Sequence, residues 1–317
     1  MSETWPRVTV LIAARPDQAE VKAAQAVPAL DYPKDKLEIL IARGRQPSVQ
    51  RNAGLQAARG DLIYFLDDDS VVQSGNLRQA VQHFADPATH IVGGPNLCPP
   101  DAPPLEQVFA LVLASWMAFG PSRARYAPIG QVRQTSEKEL ILCNLLARRS
   151  TLLELGGFNE ALYPNEENAL MDAIQQRGGK LIHDPAFCVF RRPRRTLGAF
   201  LKMLITYGRG RAEQFRVSPT VGSALNFIPP LFCLYLAVLP FLGATALIPL
   251  TVYGLALAVQ GVALVPAGGV WRSAAAAPLV FMANVLYGVG FWRGLVTRLR
   301  PVSQETARDV RLERVPV

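Results

Sequence analysis

Histidine and cysteine are scarce in this chain, with three and four among 317 residues. Cys98, Cys143, Cys188 and Cys233 form no C-x-x-C pair, and none stands near His83, His90 or His183 at zinc-binding spacing. Their flanks share only apolar neighbours, so their even spacing is not a repeat. This argues against a zinc site or a disulfide framework and predicts reduced, mostly buried thiols. Charge is almost missing between Ser223 and Val296, where Arg272 and Arg293 stand alone. No soluble core helix explains so long a stretch. An apolar leader is missing too: Met1 to Arg7 is polar and runs into a strand. No cleavable signal peptide is expected, and the N-terminal domain is expected in the cytoplasm. The net charge is +8, but there are no aromatic platforms or nucleic-acid modules to use it, so nucleic acid is not an expected partner.

What the chain does have is an abrupt junction. Leu62-Ile63-Tyr64-Phe65-Leu66 runs directly into Asp67-Asp68-Asp69-Ser70. The apolar run reads as a buried strand of a parallel sheet. Three carboxylates at its end repel one another unless a cation lies among them. Open α/β sheets bind ligands beyond the carboxyl ends of their strands. Carboxylates suit Mg2+ or Mn2+, which commonly also hold substrate phosphates. The junction therefore points to a metal site for a diphosphate; the plainer reading is a solvated loop capping the next helix. Val8 to Ala14 and Leu37 to Ala42 are two more such runs, and Gln50 to Asp61 reads as a helix with a glycine stop that leads into the acidic strand. Strands alternating with helices predict a parallel sheet with right-handed crossovers.

Several motifs then occur in order: Val8-Thr9-Val10-Leu11-Ile12-Ala13-Ala14-Arg15, the span Arg51 to Asp69 as RNxGxxxAxGDxIxFLDxD, Gly156-Gly157-Phe158-Asn159-Glu160, and Pro164-Asn165-Glu166-Glu167-Asn168-Ala169-Leu170. Over roughly residues 8 to 190 the chain resembles the family 2 glycosyltransferases. The resemblance implies an α/β, GT-A, Rossmann-like and mostly parallel sheet with flanking helices, and an inverting hexosyltransferase. It makes Asp67 and Asp69 the metal-binding pair, with Asp69 the direct ligand and Asp68 the middle residue. Ala13 and Arg15 are implied donor contacts. Glu167 falls at the place of the catalytic base, with Glu166 the alternative; helix N-terminal charge alone would also explain this pair. Two departures bear on the donor. Many members carry an acidic residue after the second strand, where this chain has Arg43 and Arg45 in a short loop; Ser48, Arg51 and Asn52 are left as replacement contacts. The QxxRW signature of processive synthases is missing, and Tyr207-Gly208-Arg209-Gly210-Arg211 stands in its place. Arg209 and Arg211 become candidates for the diphosphate, and one sugar per cycle is expected rather than a polymer.

The expected organisation is a cytoplasmic catalytic domain over 1–195, an interfacial basic segment over 196–222, transmembrane helices within 223–296 and a basic tail over 297–317. Arg191, Arg192, Arg194, Arg195, Lys202, Arg209, Arg211 and Arg216 crowd the approach to the apolar region, where anionic lipid attracts them. Leu197, Phe200, Leu201, Leu204 and Ile205 predict an amphipathic interfacial helix. Leu105 to Phe119 also follows the helical period; burial against the sheet is the favoured reading and lipid contact the alternative. Three stretches, 224–243, 244–265 and 274–291, approach bilayer length. After Phe291, Arg293, Arg298, Arg300, Arg308, Arg311 and Arg314 outnumber Glu305, Asp309 and Glu313 and place the tail in the cytoplasm by the positive-inside rule, which demands an even number of crossings. Prolines 229, 230, 240 and 249 in the first two stretches suggest that one of the three is re-entrant or interfacial. Taken together, the expected activity moves one sugar from a nucleotide-sugar, UDP-linked by default, to a lipid-linked or other membrane-held glycan, at a bacterial inner membrane. Transfer to polyprenyl phosphate itself, or a non-catalytic scaffold, are the alternatives.

Overall fold

The computed structural model describes residues 5–162, 164–299 and 309–317. These form two compact units: the first takes the described residues of 1–97, 124–191 and 300–317, the second 98–123 and 192–299. The units interleave along the chain.

The first unit contains β1 (Val8–Ala14), α1 (Lys22–Ala26), β2 (Leu37–Arg43), α2 (Pro47–Ala57), β3 (Leu62–Asp67), β4 (Val71–Val72), α3 (Asn76–Gln82), β5 (Thr89–Gly93) and β6 (Asn96–Leu97). The second unit then contributes α4 (Pro104–Leu113) and α5 (Trp116–Phe119). The first resumes with β7 (Arg133–Thr135), β8 (Asn144–Arg148), α6 (Arg149–Glu154), α7 (Glu166–Gln176), β9 (Lys180–His183) and β10 (Val189–Phe190). The second unit closes with α8 (Leu197–Val217), α9 (Ile228–Val238) and α10 (Ile248–Val296), and β11 (Arg311–Val315) returns to the first.

The main sheet has the order β11-β2-β1-β3-β8-β5-β9-β7. β2, β1 and β3 pair in parallel, as the sequence predicts. Their side chains alternate between two buried faces: Val10, Ile12 and Tyr64 on one, Leu11, Ile63 and Phe65 on the other. Burial on both faces is why these strands read as unbroken apolar runs. Beyond β3 the sheet is mixed rather than mostly parallel: β8 runs antiparallel to both β3 and β5, and β7 antiparallel to β9. A small sheet, β4-β10-β6, lies at the carboxyl end of β3.

The tail adds a strand to the sheet edge. β11 pairs antiparallel with β2, and Arg43 meets Glu313 at 2.8 Å while Arg314 meets Glu38 at 3.0 Å. Arg300, Arg308 and Glu305 of the tail lie outside the described residues.

Within the second unit, α4 buries Val108, Phe109 and Val112, and Phe109 stacks on Phe200 of α8 with centroids 4.2 Å apart. Its partners are helices, which corrects the expected packing against the sheet; Ser115 caps a separate short α5. The amphipathic segment is longer than expected, running the 21 residues of α8 from its Thr196 cap. Gly208 explains how α8 meets α10: a Cβ there would lie 2.0 Å from the Tyr287 carbonyl oxygen.

α10 is interrupted at Gly269, whose φ of 73° and ψ of 170° break the helix. The Asn284 amide donates to the Tyr253 hydroxyl at 3.1 Å, and these two residues stand almost equally far on either side of Gly269. The halves 248–268 and 270–296 therefore form an antiparallel hairpin, roughly 30 and 40 Å long at 1.5 Å per residue. Gly222–Phe241 and Ala244–Val296 are long and apolar enough to cross a membrane, with mean hydropathies of 1.8 and 1.9 and 6% of each most apolar window buried. Val252, Leu255, Val259 and Val262 expose 59–72% of their surface along one face.

Candidate active site

The acidic junction closes β3, and each carboxylate has a different partner. Backbone pairing of β4 with β10, Val72 opposite Val189 and Val71 opposite Phe190, brings the next residue of β10, Arg191, beside the carboxylates. The Arg191 Nε lies 2.5 Å from Asp69 Oδ1, and its Nη1 lies 3.1 Å from Asp67 Oδ2. Burial opposes the charge of Arg191, but Asp67 and Asp69 outweigh it and hold its pKa well above the ordinary arginine value. Asp68 turns away and accepts from Gln18 Nε2 at 2.5 Å, tying the loop after β1 to the junction. Arg43 Nη1 donates to the Gln18 carbonyl at 2.7 Å, so the same loop is held by the strand that carries the tail.

A second arginine extends the network. Arg51, on α2, donates from Nη1 to Glu166 Oε1 at 2.7 Å, and its Nη2 lies 3.6 Å from Asp67 Oδ1. Helix α2 is set by Pro47 in its first turn and by Gln46, whose side chain accepts from the Val49 N–H. Glu166 begins α7 after Asn165, whose positive φ of 91° turns the chain into the helix. Glu166 is 2% exposed, and its Oε2 has no hydrogen-bond partner among the described residues. Burial, followed by the charge of Glu167, pushes its pKa up to about 7 against the pull of Arg51. Glu167 is half-buried, and Asn168 Nδ2 lies 3.5 Å from its Oε1.

The other candidates have these surroundings. Ser48 is fully buried and its hydroxyl reaches the Leu162 carbonyl at 3.4 Å. Asn52 donates to the Phe158 carbonyl and to Glu160 Oε1, and accepts from the Phe158 N–H, so it clamps the turn after α6. Ala13 and Arg15 stand at the end of β1, Arg15 exposed. Arg209 and Arg211 belong to the second unit; Arg209 Nε lies 3.4 Å from Glu213 Oε1, and Arg211 donates to Gln214 Oε1 at 3.1 Å. Gly208 and Gly210 lie inside a continuous helix, and Gly208 serves a helix crossing rather than a phosphate cradle.

Arg191 is the site residue that sequence reasoning missed, because it stands first in a basic cluster and reads as part of it. The signal was available: it directly follows the apolar run 187–190. Its neighbour Arg192 is committed elsewhere, with Nε 2.6 Å from Glu106 Oε2. A cavity of about 680 Å³ lined by Arg59, Asp61, Arg148 and Arg149 opens at the other end of β3, away from the carboxylates.

Among the described residues, no three His, Cys, Asp or Glu side chains are grouped to hold a metal ion. Asp67 and Asp69 nevertheless offer the oxygen donors that Mg2+ and Mn2+ accept, ions that commonly take one or two carboxylates and complete their shell with water and substrate phosphate. The donor set fits such an ion.

A parallel β2-β1-β3 core, a strand ending in carboxylates and a carboxylate-bearing helix start define a GT-A α/β domain. Residues 18–149 match the model of the family described as "Glycosyl transferase family 2". The chain is 26% identical over 174 residues to the pre-mycofactocin glycosyltransferase of Mycobacterium tuberculosis, in strains CDC 1551 / Oshkosh and ATCC 25618 / H37Rv. That match covers 52% of this chain and 34% of the relative, so the chain spans about a third of the length of the curated relatives it matches. In fold it is similar to the mannosyltransferase PcManGT from Pyrobaculum calidifontis, solved with GDP-Man and Mn2+, at a TM-score of 0.56 and 18% identity, covering 89% of this chain and 87% of that one. Residues 18–149 thus match the family 2 glycosyltransferase model, and the fold is that of a GT-A domain.

Proposed function

We propose that the protein is an inverting, metal-dependent glycosyltransferase that moves one sugar from a nucleotide-sugar to a membrane-held acceptor. The observation that carries this reading is the charge chain at the end of β3, Asp69–Arg191–Asp67–Arg51–Glu166, with the half-buried Glu167 beside it. The Mn2+ and GDP-Man in complex with the similar mannosyltransferase support a metal and a nucleotide-sugar here; UDP remains the default nucleotide.

Asp67 and Asp69 would hold the divalent cation, which when bound neutralises charge on the leaving diphosphate. Arg51 is fixed on one side by Glu166 and so presents its other guanidinium edge to Asp67, keeping that carboxylate in place. Glu167 is the better base. A base must come within hydrogen-bond reach of the acceptor hydroxyl, and Glu166 is enclosed and already paired with Arg51. Gln18 and Arg43 hold the loop after β1, where the nucleotide is expected beyond the strand ends.

The reading places the second unit in a membrane. The outward face through Val252, Leu255, Val259 and Val262 would expose apolar surface to water that lipid covers without cost. Each half of the α10 hairpin is long enough to span the ~30 Å hydrocarbon core. Gly222–Phe241 is also long and apolar enough to cross; an even count of crossings would make it a re-entrant or interfacial segment. β11 follows the second unit in the chain yet pairs in the sheet of the first. A chain that leaves and rejoins one soluble unit crosses the bilayer an even number of times, and two crossings by the hairpin satisfy this. Catalytic unit and tail would then share the cytoplasmic face.

The test is a donor screen by nucleotide release, using detergent-solubilised protein with Mn2+ and UDP- and GDP-sugars. Release from one donor above the protein-free rate is expected. Absence of release from every donor would favour a scaffold.

A further inference from the structure

We infer that Arg191 is a resident counter-cation of the metal site, one that must be displaced from Asp67 and Asp69 before a divalent cation binds and is then free to grip the donor's diphosphate. This rests on the metal-site reading above.

The oxygens themselves carry the argument. Three of the four carboxylate oxygens of Asp67 and Asp69 face a guanidinium nitrogen: Asp67 Oδ1 faces Arg51, Asp67 Oδ2 and Asp69 Oδ1 face Arg191. An ion bridging the two side chains competes with Arg191 for the oxygens it holds. Arg51 does not compete in the same way, because its closer contact is Glu166 at 2.7 Å and its approach to Asp67 is the longer 3.6 Å. Arg191 is held at its backbone, with its N–H donating to the Leu97 carbonyl at 2.9 Å and β10 paired on both sides. Its side chain can therefore swing while its origin stays fixed at the edge of the site.

Three adjacent carboxylates are costly to leave uncompensated, so some cation must sit there when the site is empty of donor. A guanidinium suits this temporary role: it is always charged, and its planar fork matches the oxygens of a carboxylate or a diphosphate equally well. The arrangement makes metal and nucleotide binding mutually supportive. The diphosphate supplies Arg191 with a new partner at the moment the ion takes its old ones, and by linkage each ligand tightens the other.

The experiment measures Mn2+ binding directly, by calorimetry or by the electron paramagnetic resonance signal of free Mn2+, on full-length detergent-solubilised protein. Wild type, Arg191→Gln and Arg191→Lys are compared without nucleotide and with UDP or GDP. Arg191→Gln should bind Mn2+ roughly tenfold more tightly without nucleotide, the size of one charge-assisted contact removed from competition. The tightening of Mn2+ binding by nucleotide should shrink in the same variant. Arg191→Lys, which keeps the charge but loses the fork, should fall between the two and guards against a folding defect in the glutamine variant. Equal or weaker Mn2+ binding by Arg191→Gln, with wild type binding normally, overturns the counter-cation role and leaves the metal site standing. No Mn2+ binding by any of the three overturns both.

Discussion

Arg51 and Glu166, 115 residues apart in the chain, meet at 2.7 Å with almost no solvent around the carboxylate. The pair joins α2 to α7, and through its second edge Arg51 joins both to the end of β3. A buried carboxylate and a guanidinium thus couple the helix that carries the proposed base to the strand that carries the acidic junction.

That burial has a pH signature. Glu166 holds its proton up to about 7 in the folded chain, against an ordinary value of 4.5. Between those values the native state binds a proton that the unfolded chain has released, so stability from this residue is fullest below 4.5 and is lost as pH rises toward 7. Glu166→Gln stays neutral throughout. Measured by thermal unfolding, wild type should lose ground against Glu166→Gln from pH 5 to 7 and run level with it above. A difference that ignores pH would show that Glu166 is ionised throughout.

Glu167→Gln should leave donor affinity nearly intact and cut transfer by roughly 10²–10⁴-fold, the usual worth of a general base. Steady-state kinetics with donor KM and kcat separated checks this. If Glu166→Gln shows the loss and Glu167→Gln does not, the base is the buried residue.

Gly208→Leu should destabilise the second unit selectively, since a side chain there drives into the Tyr287 carbonyl. The expected cost is about 1–3 kcal/mol, the range for overpacking. Detergent-phase unfolding followed by the second unit's tryptophans measures it, and Gly198→Leu, where nothing lies within 4 Å, is the control.

The pairing of β11 with β2 gives the proposed membrane topology a test. A reporter fused after Val317 should be active only on the cytoplasmic side, and a cysteine placed at Gly269 should label only from the other side. A reporter active outside would mean an odd number of crossings and a tail strand detached from β2.

Much of this was legible in the residues. β1, β2 and β3 announced themselves as apolar runs because both faces of the sheet are covered, and the carboxylates of Asp67 to Asp69 followed directly. The mixed half was not legible: β8 lies between β3 and β5 in reverse direction, and no local pattern reports which neighbour a strand will choose. Nor was β11, a short exposed strand whose pairing depends on Arg43 and Glu38 far away in sequence. Arg191 was hidden by company, since seven other arginines and lysines in the same cluster suggested lipid, and the β4–β10 register assigns it to Asp67 and Asp69. Leu105 to Phe119 showed its apolar face clearly, but periodicity cannot say whether that face meets a sheet or, as here, other helices.

The most direct test of the account is donor turnover as a function of divalent cation. With the donor identified by nucleotide release, wild-type turnover should vanish in excess EDTA and return on adding Mn2+ or Mg2+, while Asp69→Asn stays inactive at any cation concentration. Full turnover in EDTA, or an Asp69→Asn enzyme as fast as wild type, would contradict it.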